Sequence, residues 1–335
     1  MVFRTKVVGI FAALALACAA PARAEVTEVS IAYGPGITFL PLVVAKQLHL
    51  VEKHARAVGL PDVKPNWVYI TGASTTNDGI LSGRLQIGAS GVPGFLQMWS
   101  RTSGSPNAVA AIAAVTSLPQ YLNTTDAAVH TIADFGPSDR IALPAVKVSS
   151  QAIFLQMAAA KAFGMDHYAK LDPLTVSMAH PDATGAILSG AGGITAHFTS
   201  PPFQYRELEK PQVHRVLSSY DVMGGPATLI VAWCTRRFHD DNPKTSEAFL
   251  DALEEAMGII AHDRKRAAEL YVQSSGDKTP VSEIVAMIGD PQAEFTTTPK
   301  GIAKYVDFLS HTGALKTRPA KWQDLFFDLG ARKGS

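Results

Sequence analysis

Small and hydroxyl-bearing residues recur in this chain at short stretches between an apolar run and an amphipathic one. They are GPGIT at 34–38, TGAST at 71–75, ASGVPG at 89–94, VKVSSQ at 146–151 and TSPP at 199–202. Each follows a predicted strand and opens a predicted helix. The first-turn N–H groups of a helix have no partner inside it, and their partial positive charge attracts anions. Several such termini, gathered with side-chain hydroxyls, can hold an oxyanion without any charged residue. The candidate ligand-binding residues are therefore Gly36, Ile37 and Thr38; Gly72, Ala73 and Ser74; Ser90 and Gly91; Val148, Ser149 and Ser150; and Phe198, Thr199 and Ser200. Ser117 joins them from a segment expected to pass between two halves of the chain. Any one of these loops could be an ordinary turn or cap; recurrence at five junctions points to a shared site.

The stretch HFTSPPFQY at 197–205 makes the idea concrete. Proline suits the first position of a helix, where its missing N–H costs nothing, and Thr and Ser cap helix N-termini. A helix opening at Pro201 would aim its N-terminus and the hydroxyls of Thr199 and Ser200 at a ligand, with Phe198 or Phe203 packing the rest of that ligand.

Other chemistries fit less well. Ser90 in GASGV has the strand-to-helix setting of a hydrolase nucleophile and stays as a distant alternative, but the elbow pattern needs Gly where Val92 stands. SGAGGI at 189–194 lacks the last glycine of a dinucleotide fingerprint, with Thr195 in its place, and precedes a strand instead of following one. His49 and His54 do not share a helix face, FHDD at 238–241 reads as a solvated loop, and no zinc-ligand spacing appears. The expectation is a binding protein that is not an enzyme and carries no cofactor and no metal.

The elements that must position these loops alternate between strand and helix, as in α/β proteins with largely parallel sheets. EVSIAY, PNWVYI and LQIGAS read as strands of a first half, NAVAAIAAV as a small-residue strand or buried segment closing it, and PLVVAKQLHLVEKHARAVG as an amphipathic helix among them. DRIALPA, PLTVSMA and GITAHFT read as strands of a second half, with helices in SSQAIFLQMAAAKAFG and ATGAILSG. After GGPATLIVAWCT the chain turns helical. Two βα lobes with two crossings, near Val115 to Pro119 and Tyr220 to Pro226, and C-terminal helices returning to the first are the economical reading of this order, and one continuous doubly wound sheet is the alternative. Lobe I is then 25–118 with 221–335, and lobe II is 119–220.

Arg4, Lys6, the apolar run VVGIFAALALACAA, Pro21 and ARA at 22–24 have the layout of a secretory leader, residues 1–24, cleaved before Glu25. The run is shorter than the ~20 residues of a spanning helix, and Ala15 stands where a lipoprotein signal at Cys18 usually carries Leu. Removing Arg4, Lys6 and Arg23 leaves 27 of 30 basic residues against 29 acidic ones, a formal charge of −2. Nothing in that balance attracts nucleic acid. Cys234 is the one cysteine beyond the leader, so no intrachain disulfide forms there. The expected product is a periplasmic monomer.

PLVVAKQLHLVEKHARAVGL, ILSGRLQIGASG, DRIALPAVKVSSQAIFLQMAAAKAFGMD and NPKTSEAFLDALEEAMGII, in that order, resemble segments of the periplasmic solute-binding proteins of the nitrate, sulfonate and taurine ABC-transporter family. That resemblance implies a type II periplasmic-binding fold, two α/β lobes joined by a two-segment hinge and closing over one small-molecule solute. It also implies delivery to an ABC permease of the inner membrane with its cytoplasmic ATPase. The solute it implies is a small organic or inorganic anion, the alternative being a neutral pyrimidine precursor or an aromatic carboxylate. The chain departs from the family at His49, where relatives often carry Gly, and at Thr195-Ala196 and Ser200-Pro201-Pro202, where they often carry Asp-Ala and an aromatic-Asp-Pro turn.

Overall fold

The computed structural model describes residues 24–328 and 334–335; all but the last residue of the expected leader lies outside them. In the first half, β1 (Glu28–Tyr33) and β2 (Lys64–Tyr69) pair in parallel. β1 meets the segment leading into β3 (Gly88–Gly91) through Ala32 N–H to the Ile87 carbonyl at 2.9 Å. β4 (Val109–Thr116) is buried along its whole length, which suits its run of small and β-branched residues. The second half pairs β5 (Tyr121–Thr124), β6 (Ile141–Leu143), β7 (Thr175–Ser177), β8 (Ala196–Thr199) and β9 (His214–Ser218) in the order β7-β6-β8-β5-β9. β10 (Ile230–Thr235) returns to the first half and lies antiparallel between β3 and β4.

The two halves thus repeat one plan: second strand, first, third, an antiparallel strand inserted by a chain crossing, then the fourth. The crossings run through residues 117–120 and 219–229. Strand-to-helix loops of both halves collect at the carboxyl ends of the parallel strands, where open α/β sheets bind ligands.

The helices of the first half are α1 (Leu40–Gln47), α2 (Leu50–Ala57), α3 (Ala73–Leu81) and α4 (Val92–Thr102). Those of the second are α5 (Ser150–Phe163), α6 (His180–Ser189), α7 (Phe203–Leu208) and α8 (Ser219–Met223). The chain ends in α9 (Arg236–Asp241), α10 (Pro243–His262), α11 (Arg264–Ser275), α12 (Val281–Ile288) and α13 (Ile302–His311), of which α10 packs on α1 and α2. Trp233, Phe95, Ile31 and Leu40 anchor the first core, each side chain contributing roughly 1.5–3 kcal/mol by leaving water. Glu25 closes this half: its carboxylate accepts from Lys244 N–H, Thr245 N–H and the Thr245 hydroxyl at 2.7–2.9 Å, capping the N-terminus of α10. His49 sits between α1 and α2 with φ 53°, the left-handed region that favours glycine.

Three expected elements differ. PLVVAKQLHLVEKHARAVG breaks at His49 into α1 and α2, and FHDD at 238–241 lies in α9 instead of a loop. No helix opens at Pro201: Pro201 and Pro202 form a turn, joined by a cis bond, and α7 starts at Phe203 and runs only six residues. With two consecutive residues lacking N–H, the first helix-type backbone bond in this segment is made by Gln204, to the Ser200 carbonyl at 3.2 Å.

Candidate functional site

A cleft partly open to solvent lies where the loops of the two halves face each other. Thr38, Gly72, Ala73, Ser90 and Gly91 line it from the first half, and Val148, Ser149, Ser150 and Ser200 from the second. Nine of the fifteen candidate residues therefore share one wall-to-wall space. Thr71, Thr76, Gln120, Gln151 and His180 add polar groups, and Phe39, Ile70, Leu229 and Ile230 apolar ones. No Lys, Arg, Asp or Glu is among the lining residues.

Five helices of eight residues or more begin at lining residues, α1 with Phe39 as N-cap and α6 with Ala179 among them. Gly72 is the N-cap of α3, Gly91 of α4 and Ser149 of α5. Ser149 Oγ accepts from Ala152 N–H at 3.2 Å, so that hydroxyl acts as a cap. Ser150 Oγ, at the first position of α5, is buried and has no partner; Gln120 Oε1 is in the same state. Ser90 Oγ accepts from Trp233 Nε1–H at 3.1 Å, which fixes it without using its own proton. A nucleophile would need a base in that position, and an indole N–H cannot serve.

The remaining candidates stand elsewhere, for reasons of local geometry. Strand β8 alternates, so Ala196 and Phe198 face α5 while His197 and Thr199 face the other way. Phe198 is fully buried, 6.2 Å from Phe154 between ring centroids, and packs no part of the cleft. Thr199 Oγ1 lies 3.2 Å from His180 Nδ1, behind the wall. Ile37 belongs to the core, Ser74 is exposed on α3, and Gly36 faces a neighbouring hollow beside Tyr33, Tyr69 and Phe203. Ser117 is fully buried outside the cleft, its main chain paired in both directions with Glu294. Phe203 stacks on His180 with centroids 5.5 Å apart.

The halves touch at glycine. Ile37 N–H donates to the Pro201 carbonyl at 3.2 Å, and a Cβ on Gly36, whose φ is +85°, would stand 2.8 Å from that same oxygen. A Cβ on Gly91 would collide with Ser150 Oγ. Absence of a side chain at both positions allows the loops to meet.

His180, Gln120 and Gln151 were not among the sequence candidates. His180 falls between a predicted strand and a predicted helix, at the first position of α6 and followed by Pro181, the same junction signature as the loops that were read. Burial, and His197 beside it, hold its imidazole well below the ordinary histidine range, so it is neutral at pH 7.

Two halves of matching strand order, the first formed by the β1-β2 and β3-β10-β4 sheets meeting at Ile31 and Ile87, each entered by an antiparallel strand from a crossing and with the ligand space between them, decide the architecture. The fold is that of the periplasmic binding proteins. The alkanesulfonate-binding protein SsuA from Xanthomonas axonopodis pv. citri, bound to MOPS, superposes with a TM-score of 0.69 at 20% identity, over 88% of this chain and 96% of that one. The periplasmic aliphatic sulphonate binding protein SsuA from Escherichia coli gives 0.65 at 18% identity, over 90% and 99%. The periplasmic nitrate-binding protein NrtA from Synechocystis PCC 6803 gives 0.62 at 15% identity, over 89% and 83%. No family model and no curated protein matches the chain. The periplasmic-binding fold is therefore shared at low identity, and the cleft's chemistry has to be read from this chain's own residues.

Proposed function

We propose that this chain is an exported solute-binding protein that takes up a small solute with an oxyanion head in its interlobe cleft and presents it to an ABC permease of the inner membrane. The observation carrying this reading is a cleft without a charged side chain among the described residues, at the meeting of five helix N-termini, with Ser150 Oγ buried and unpartnered at one of them. A buried polar atom left unpaired costs about 1–3 kcal/mol, and a bound oxyanion accepting from it removes that cost. The sulfonate- and nitrate-binding proteins of similar fold support the choice of head group, and the expected leader supports export. No helix among the described residues is long and apolar enough to cross a membrane.

The absence of Lys and Arg from the lining favours a second reading, a neutral heterocycle, with Phe39, Ile70 and Leu229 as its apolar bed. In either case lobes at 25–118 with 221–335 and at 119–220 turn about the two crossings, and a solute touching both favours the closed state.

Thermal shift with nitrate, methanesulfonate, ethanesulfonate, acetate, benzoate and uracil tests the proposal. A solute present at 100 times its Kd adds about 2.7 kcal/mol to stability, and the oxyanions are expected to raise the melting temperature. Stabilisation by uracil alone transfers the assignment to the second reading; no shift with any of the six sinks solute binding of either kind. Mass measurement of the exported product is expected to place its N-terminus at Glu25, and a product retaining Met1 contradicts export.

A further inference from the structure

Behind the cleft, the second half buries a line of polar side chains. Its inner end is Glu207 on α7, which is fully buried. The carboxylate accepts from Asn123 Nδ2 at 2.9 Å, from the Thr184 hydroxyl at 2.9 Å and from His197 Nδ1–H at 2.6 Å. Three converging donors suit an ionised carboxylate, which can only accept.

For a neutral His197 the direction of each bond follows. With its Nδ1 proton given to Glu207, a neutral His197 has an acceptor at Nε2, and His180 Nδ1 lies 2.9 Å from it. His180 therefore carries its proton on Nδ1, and its own Nε2 becomes an acceptor. Gln151 Nε2 meets that nitrogen at 3.2 Å. Donation runs from Gln151 to His180 to His197 to Glu207. Gln151 spends an amide N–H on the chain, so its carbonyl oxygen is the end left for the cleft it lines. Gln120 lines the same cleft with its Oε1 buried and unpartnered. An anion gains nothing from either oxygen.

We propose that Gln151 and Gln120 form an acceptor wall in the cleft, the first oriented by the Glu207–His197–His180 chain, and that the solute presents a neutral N–H or O–H donor to it. This rests on the oxyanion reading of the cleft, the head group lying at the helix N-termini and a hydroxyl or amide at the other end. Gln151 and Gln120 then determine specificity, and His180, His197 and Glu207 are positioning residues.

Two arms test it. Nitrogen-15 histidine NMR on the wild-type protein at pH 7 distinguishes protonated from bare ring nitrogens. Protons on Nδ1 of both His180 and His197, with bare Nε2 on each, are expected. A proton on His180 Nε2, or a doubly protonated His197, reverses the chain, turns the amide nitrogen of Gln151 to the solute, and overturns the proposal. In the second arm, calorimetric titration compares ethanesulfonate with 2-hydroxyethanesulfonate, which share a head group. One added hydrogen bond to an otherwise unpaired acceptor is expected to tighten binding by about tenfold, and Gln151→Met, checked for folding by its melting curve, to erase most of that difference. Equal affinities in the wild type overturn the acceptor wall. Failure of both sulfonates to bind counts against the oxyanion head instead, and the tautomers still decide the chain.

Discussion

The two halves of the molecule share a strand order but not the layer behind their cleft loops. In the first half that layer is apolar: Trp233 and Phe95 pack 5.9 Å apart between centroids behind Ser90, and β4 is buried without a charged residue. In the second half the corresponding space holds Asn123, Thr184, His197 and Glu207, all buried and mutually bonded. An apolar backing fixes where a loop stands but leaves its polarity to the main chain. A bonded polar backing fixes which way a side chain's donor and acceptor ends point, at the risk of heavy loss when one member is removed. The same scaffold thus supplies position from one side and direction from the other.

Glu207→Leu is the sharpest way to break this comparison. It strands His197 Nδ1–H, Asn123 Nδ2 and the Thr184 hydroxyl in a dry interior, and each buried donor left unpaired costs about 1–3 kcal/mol. Ser90→Ala, its counterpart in the first half, leaves only Trp233 Nε1–H unpaired, about 1–3 kcal/mol. Urea unfolding of both variants gives the two numbers. Similar costs would mean that the polar backing is no more demanding than the apolar one.

Acidification sharpens the comparison from another side. His180 resists protonation in the folded protein because it is buried beside His197, whereas in the unfolded chain it titrates near 6.5. As pH falls below that value the unfolded chain binds the proton first. Stability from this group is therefore complete above about pH 6.5 and lost progressively as pH falls toward the lower folded-state value. The ionisable groups bonded around His180 are His197 directly and Glu207 beyond it. His180→Asn is expected to flatten this acid limb, and an unchanged limb would place the titration elsewhere.

Smaller effects belong to the first half. Glu25→Ala removes the carboxylate at the start of α10 and is expected to cost about 1 kcal/mol, read as a lowered urea midpoint. His49→Gly relieves a left-handed backbone at an exposed turn and is expected to stabilise by up to about 1 kcal/mol, with a loss instead showing that the turn tolerates histidine.

The sequence carried the fold well where local pattern and tertiary role coincide. VAAIAAVT, expected as a small-residue strand or buried segment, is a strand buried along its whole length, and SSQAIFLQMAAAKAF carries its own N-cap and a helical apolar face. Any one cleft loop reads equally as a turn or cap, and only their recurrence at the carboxyl ends of the strands points to the shared space that nine of the candidates line. What stayed hidden depends on side-chain direction or on distant partners. Phe198 and Ile37 sit beside the cleft in sequence yet point into the core. Glu207 in FQYREL reads as a solvated helix residue, and its partners come from positions 123, 184 and 197, on three other elements. Pro201 met the rule for a helix start, and a second proline after it delayed the helix to Phe203.

The central claim is that hydroxyls on the second-half wall hold the solute's head group. Calorimetric titration of ethanesulfonate into the wild type and the Ser149→Ala/Ser200→Ala variant, beside melting curves of both, tests it most directly. Hydrogen bonds to a charged group contribute roughly 1.5–3 kcal/mol each, so the variant is expected to bind about a hundredfold more weakly. Its melting temperature falls as well, because Ser149 also caps α5. A lowered melting temperature with unchanged affinity would contradict the account, leaving these serines as caps and nothing more.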